Sequence, residues 1–226
     1  NSSTVMVGKF NLPFGLLTDE HRTYTKIQTN TSFNDFATGV LWSANSNNSH
    51  IDVGLTEGQQ SGGSLDTGVM LGSTANLRYG GSGHVPYFVG LSTLAYRREP
   101  GTDPYAVAAY GALSLSELTH DYWPGSFIFE FTQSKYFNDA STTSNVVKNF
   151  IGIGLNTGYE AAVKNSEAIG WYAKLNYDIN QKLTAFFKFD NLTLDRHYPA
   201  DSFIRHGLGL NYAMTNETHI NARVES

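Results

Sequence analysis

Cysteine is absent from the 226-residue chain, which excludes a disulfide framework and any thiolate metal centre. Charge is scarce as well: Asp, Glu, Lys and Arg make up 15% of the residues, against roughly 25% in ordinary soluble domains. The formal net charge is −5 and no Lys/Arg cluster interrupts it, which argues against a nucleic-acid surface. No run approaches the roughly 20 apolar residues of a membrane-spanning helix, and mean hydropathy is −0.29. A helical membrane protein is thereby excluded. A barrel is not, because strands that alternate apolar with polar residues cancel in such an average. The stretch NSSTVMVGKF (1–10) has neither a cationic start nor a long apolar core, so no signal peptide is read there.

What is abundant is aromatic and small: 14 Phe, 13 Tyr and 22 Gly, in a pattern that repeats every second residue. From Lys182 to Asp190, Leu183, Ala185, Phe187 and Phe189 fall on one face and Lys182, Thr184, Phe186, Lys188 and Asp190 on the other. IGWYAKLNYD (169–178) divides in the same way, with Ile169, Trp171, Ala173, Leu175 and Tyr177 opposite Gly170, Tyr172, Lys174 and Asn176. A period of two is the signature of a strand. Strands with one oily face and one wet face, following one another with almost no helical pattern, predict an all-β antiparallel transmembrane β-barrel with a wet interior. Strands are expected near 3–14, 36–46, 49–58, 67–80, 85–98, 104–120, 124–137, 167–179, 182–194, 202–214 and 217–226, in one domain over 1–226. Short connections (45–48, 80–83, 121–126, 178–181, 214–217) alternate with longer polar ones (15–35, 59–66, 98–104, 138–165, 194–201), as tight turns and outer loops alternate in such barrels. The stretch 138–166 is read as a long outer loop, although its IGIGLNTGYEAA could form an extra strand pair. Eleven strands are an odd count where bacterial barrels have an even one, and no aromatic residue closes the chain. The expectation is therefore an incomplete chain, with about 11–12 strands of a possibly larger barrel.

The words along these strands resemble a family of Gram-negative outer-membrane porin-like proteins. GKFNLPFGLLTDEHRTYTK (8–26) is similar to a family strand that leads into an acidic, His-containing loop. FIFEF (127–131), WYAKLNYDINQKLTAFFKFDNLTLD (171–195) and FIRHGLGLNYAMTNETHINARVE (203–225) resemble the carboxyl half, the last looking like the hairpin that ends phosphate-selective porins and relatives. The resemblance implies a place in the bacterial outer membrane, contact with lipid and lipopolysaccharide, and a homotrimer as a common assembly. It also implies one of two roles, a porin for small hydrophilic solutes or ions, or a barrel that sheathes or docks a multihaem cytochrome or surface lipoprotein. The chain departs from phosphate-selective relatives in lacking a dense Arg/Lys ladder.

In a barrel, alternation predicts which polar groups line the lumen. Lys9 and Asn11 are expected inside, with Phe10, Leu12 and Phe14 against lipid. The same rule directs Asp52, Asn76, Arg78, Glu130, Lys174, Lys188, Asp190, Arg205, Asn211, Asn221, Arg223 and Glu225 inward. These groups would either set ion preference, with a mild lean toward anions, or neutralise one another and brace the wall. Trp42, Trp123, Trp171, Tyr79, Tyr122, Tyr136, Tyr177 and Tyr212 suit interfacial girdles. Asp19, Glu20 and His21 are weak candidates for a divalent cation, and Asp190, Asp195 and Asp201 for calcium, but adjacent ligand-type residues are more often simply solvated. For rim catalysis the suggestive groupings are His120–Asp121 and His21 with Asp19; no G-x-S-x-G elbow occurs and GSGH (81–84) falls on a short turn. No enzyme and no cofactor is expected. A soluble β-sandwich is the remaining competitor, and solubility without detergent would favour it.

Overall fold

The alternating segments form strands, each antiparallel to its neighbour. The structure, a computed structural model, describes residues 1–16, 23, 25, 36–61, 64–65, 69–83, 85–98, 103–120, 122–135, 167–194, 196, 202–215 and 218–226. The strands are β1 (Ser2–Asn11), β2 (Phe36–Asn45), β3 (Ser49–Ser61), β4 (Ser64–Leu65), β5 (Val69–Gly81), β6 (Tyr87–Arg98), β7 (Tyr105–Ser114), β8 (Gly125–Lys135), β9 (Glu167–Asp178), β10 (Leu183–Thr193), β11 (Ser202–Ala213) and β12 (His219–Glu225). They make one 12-stranded sheet in chain order, in which the two-residue β4 pairs only with β3. Among the described residues no ladder joins β1 to β12, so the wall is open there.

The two faces of this sheet invert the rule for a water-soluble protein. Leu91, Leu208 and Val224 are 63%, 65% and 78% exposed, whereas Lys188 and Asp190 are 1% and 0% exposed. Cross-strand pairs keep this sorting: Trp42 lies opposite Val53, and Ser43 opposite Asp52. The oily outer face therefore needs a solvent other than water. On β6 it runs through Tyr87, Val89, Leu91, Thr93 and Ala95, consistent with the roughly 9–11 residues of a tilted strand that crosses a bilayer. Its two borders differ. Lys9, Glu57, Arg97 and Lys135 occupy outer-face positions near the long connections. Tyr79, Tyr87, Trp123, Tyr177 and Tyr212 border the short turns, with Trp123 packed edge-on against Tyr177 at 5.0 Å. Trp171, on the outer face of β9, packs against Phe131 with their centroids 4.5 Å apart.

The short connections close through local chemistry. In the turn after β9 the Asn180 side-chain oxygen accepts from the backbone N–H groups of Lys182 (2.9 Å) and Leu183 (3.0 Å), an Asx-type arrangement. The expected strand 104–120 stops earlier, at Ser114, and continues as a one-turn helix over Leu115–Leu118. The connection expected over 59–66 is partly strand, because β3 runs on to Ser61 and pairs there with β4. The stretch 138–166 lies outside the described residues.

The largest departure is at the first strand. β1 ends at Asn11, and the next five residues turn onto the inner face. Pro13 brings no N–H to a ladder, and Gly15 takes a φ of 63°, which favours glycine. Leu12 and Phe14 then bury against Ala37, Leu94, Tyr96, Ala106 and Ala108. Leu16 reaches Tyr110 and Tyr172 on β7 and β9. Leu12 and Phe14, expected against lipid, are thus inside. Phe10 is also on the inner face, opposite Ala37, whereas Lys9 and Asn11 pair with the outer-face residues Thr38 and Phe36. The cause is the parity of β1: Val5 and Val7 face outward, so Lys9 does too, and its ammonium lies 4.9 Å from the Phe36 ring centroid.

Large inner side chains find room over cross-strand glycines. A Cβ at Gly90 would lie 2.3 Å from Tyr110 Cζ, and one at Gly207 2.8 Å from Lys188 Cε. Replacing Gly90 with Val is expected to lower stability by about 1–3 kcal/mol through overpacking, read as an earlier urea midpoint for the folded band in unheated gels. Leu91→Arg, on the outer face, is expected to cost about 2–4 kcal/mol in vesicles. An unchanged vesicle midpoint for Leu91→Arg would mean that this face does not meet hydrocarbon.

Candidate functional site

Because neighbouring strands hold strict register, inner-face residues align in rows across the wall. One row runs through Asn45, His50, Arg78, Gly90, Tyr110, Glu130, Tyr172, Asp190 and Arg205 on consecutive strands of the path β2 to β11. It places polar chemistry from one side of the wall to the other at a single level of the ladder.

Two networks stand on the inner face. The first spans β2 to β7. The Asp52 carboxylate accepts from Ser43 Oγ at 2.6 Å and from Asn76 Nδ2 at 3.1 Å, and meets His50 Nε2 at 2.7 Å. The other ring nitrogen of His50 faces Asn45 Oδ1 at 2.5 Å. Asn76 Oδ1 accepts from Ser92 Oγ (2.9 Å) and from the Tyr110 hydroxyl (2.5 Å). Ser92 Oγ in turn accepts the backbone N–H of Gly15 at 2.9 Å, and the Thr74 hydroxyl is shared between Thr93 O at 3.3 Å and Pro13 O at 3.4 Å. The inward segment 12–16 is therefore both packed on the wall and hydrogen-bonded to it.

The second network is ionic and spans β10 to β12. Arg205 donates to Asp190 through Nε at 3.2 Å and through Nη2. Lys188 pairs with Glu225, which also contacts Arg223 Nε at 3.3 Å and Arg205 Nη1 at 3.7 Å. Lys174, on the adjacent strand, holds its ammonium 4.6 Å from the Phe186 ring centroid. Lys188 and Asp190 would be strongly disfavoured in such burial without these partners.

Of the residues that alternation directs inward, Asp52, Asn76, Arg78, Glu130, Lys174, Lys188, Asp190, Arg205, Asn211, Asn221, Arg223 and Glu225 stand on the inner face; Lys9 and Asn11 do not. The wall joins Asp52 to Asn76, and Lys188, Asp190, Arg205, Arg223 and Glu225 to one another, while Arg78 and Glu130 stand between these groups in the row described above. Asp19, Glu20, His21, Asp121, Asp195 and Asp201 lie outside the described residues. Among the described residues no three His, Cys, Asp or Glu side chains gather at metal-binding distance. Sequence reasoning passed over Ser43, His50, Ser92 and Tyr110, and read the segment 12–16 as the end of a lipid-facing strand and the start of a loop. The last carried a signal, since Pro13 and Gly15 together in NLPFG mark the end of a strand.

Removing one partner of a buried ion pair leaves the other charge stranded. Arg205→Ala is expected to cost about 3–5 kcal/mol, and the pair Asp190→Leu with Arg205→Met to recover most of it, in urea titrations of the folded barrel.

No protein-family model matches the sequence, and no curated protein does. Solved structures do match in fold. The outer membrane channel DcaP of Acinetobacter baumannii superposes over 98% of this chain with a TM-score of 0.63 and 9% identity. A BenF-like porin from Pseudomonas fluorescens Pf-5 gives a TM-score of 0.43 at 11% identity over all of this chain and 68% of its own, and OccAB4 of Acinetobacter baumannii gives 0.36 at 11% over the same shares. The chain spans 64% of the length of DcaP. At this identity the likeness to DcaP is one of fold, an antiparallel transmembrane β-barrel, with no ladder joining β1 to β12 among the described residues.

Proposed function

We propose that the protein is a passive channel of a Gram-negative outer membrane, which lets small hydrophilic solutes or ions pass along the inner face. The observation that carries this reading is the inversion of the sheet, with leucine, valine and aromatic side chains outside and Asp52, Glu130, Lys188, Asp190 and Arg205 buried inside. A wall of this kind separates hydrocarbon from an enclosed polar space, and selectivity then follows from the width of that space and the charges at its surface. No chemical step is involved. Bilayer lipid is the partner of the outer face.

The charges a passing ion would meet lean basic. Asp52, Glu130 and Asp190 are buried, as are Lys188 and Arg205; of the remaining inner-face charges on the strands, Arg78 is exposed and Lys174 and Arg223 are half-buried, against an exposed Asp178. Glu225, also half-buried, is engaged by Lys188, Arg205 and Arg223. This supports a mild preference for anions. Reconstituted in planar bilayers, the full-length protein is expected to give stepwise, ohmic current whose reversal potential in a salt gradient favours the anion. Arg78→Glu is expected to move that potential toward the cation. A barrel that inserts but passes no current rules the channel out.

A second reading has one observation in its favour. Segment 12–16 and its cluster fill part of the inner face, as they would in a barrel that sheathes or docks an envelope partner rather than conducting. Such a barrel would insert in bilayers, stay silent and co-purify with its partner.

A further inference from the structure

We infer that Asp52 is a positioning residue: through Asn76 and Ser92 it sets the direction of a hydrogen-bond relay that holds segment 12–16 against the wall. The argument follows from which groups can donate. A carboxylate only accepts, so Asn76 must turn its NH2 toward Asp52, to which it donates at 3.1 Å. The amide oxygen of Asn76 then points the other way, toward Ser92 and Tyr110, and both hydroxyls donate to it. Ser92 has one proton and has spent it on Asn76. Its lone pairs are what remain for Gly15, whose N–H they accept at 2.9 Å.

If the Asn76 amide turned over, its oxygen would oppose the Asp52 carboxylate and its NH2 would face the Ser92 and Tyr110 hydroxyls, so the Ser92 proton would lose the acceptor that now draws it away from the Gly15 N–H. Orientation at Asp52 on β3 thus reaches the segment two strands away without touching it. Ser43 donates to the second carboxylate oxygen at 2.6 Å and His50 Nε2 lies 2.7 Å from the first, so the carboxylate itself is fixed. The apolar packing of Leu12 and Phe14 supplies adhesion but no direction, and the relay supplies the direction.

The chain has no cysteine, so a single introduced thiol reports on the segment alone. Leu16→Cys places it at a buried position beside Tyr110 and Tyr172. In the folded, detergent-held barrel its labelling by a water-soluble maleimide is expected to be slow. Added Ser92→Ala or Asp52→Asn is expected to raise the rate about fivefold, the worth of one net hydrogen bond, while Ser92→Thr keeps it slow. Asp52→Asn is informative because it removes the charge and one of the two accepting oxygens that hold the Asn76 NH2 in place. Should it fail to fold, judged by heat-modified gel mobility, Asn76→Ala cuts the same link. Equal rates in all backgrounds overturn the inference, as does a fast Ser92→Ala beside an unaltered Asp52→Asn or Asn76→Ala. If the channel reading holds, the freed segment also makes the current of the Ser92→Ala barrel noisier, and this consequence alone rests on that reading. A silent wild-type barrel with the expected labelling pattern therefore removes the channel and leaves the relay, and conduction with uniform labelling does the reverse.

Discussion

The structure depends on one constraint: each strand must satisfy hydrocarbon with one face and polar groups with the other, while leaving its backbone no unpaired donors between strands. In lipid an unpaired N–H or C=O costs several kcal/mol, so the ladders from β1 to β12 are the condition for crossing at all. Once the ladders exist, side chains have only two directions, and a shift of one residue would turn Leu91 inward and Ser92 outward. That penalty is what locks the register. The locked register in turn aligns His50, Arg78, Tyr110, Glu130, Tyr172, Asp190 and Arg205 in one row, although they come from seven different strands.

An inner face of this kind has its own packing problem, because long polar side chains crowd where the wall curves around them. Glycine solves it locally. Tyr110 lies across Gly90, and Lys188 lies across Gly207, so each large group uses the space that a neighbour's Cβ would have filled. The burial of Lys188 then requires a counter-charge, and Glu225 supplies it from the next strand but one. Charge pairing here is less a source of stability than the condition on which charges can be buried at all.

Much of this could be read from the sequence, because a period of two survives without any knowledge of neighbours. Every strand of the path was placed, and most polar residues named from alternation stand on the inner face. The failures have a common cause. In β1, Val5, Met6 and Val7 form a continuous apolar run that hides the parity, while Phe10, Leu12 and Phe14 mimic alternation across a point where the strand has already ended. Periodicity cannot tell a strand from a segment that leaves the sheet with hydrophobics at the same spacing. Only Pro13 and Gly15 mark the difference. The networks were illegible for another reason. That Asp52 meets Asn76, or Arg205 meets Asp190, is a property of strand pairing, and no single strand contains it.

The inward segment joins the two kinds of force that the wall keeps apart. Its apolar side chains rest on Ala37, Leu94, Tyr96, Ala106 and Ala108. Apolar contact is proportional to area and nearly indifferent to direction. A segment held by it alone could settle at several positions along β6 and β7. Hydrogen bonds discriminate between such positions, since a shift of one residue would carry the Gly15 N–H past Ser92 Oγ and the Pro13 carbonyl past Thr74. The segment thus takes its affinity from hydrophobic burial and its position from two polar contacts. Those contacts are built on the same register that sorts the wall between lipid and the polar interior.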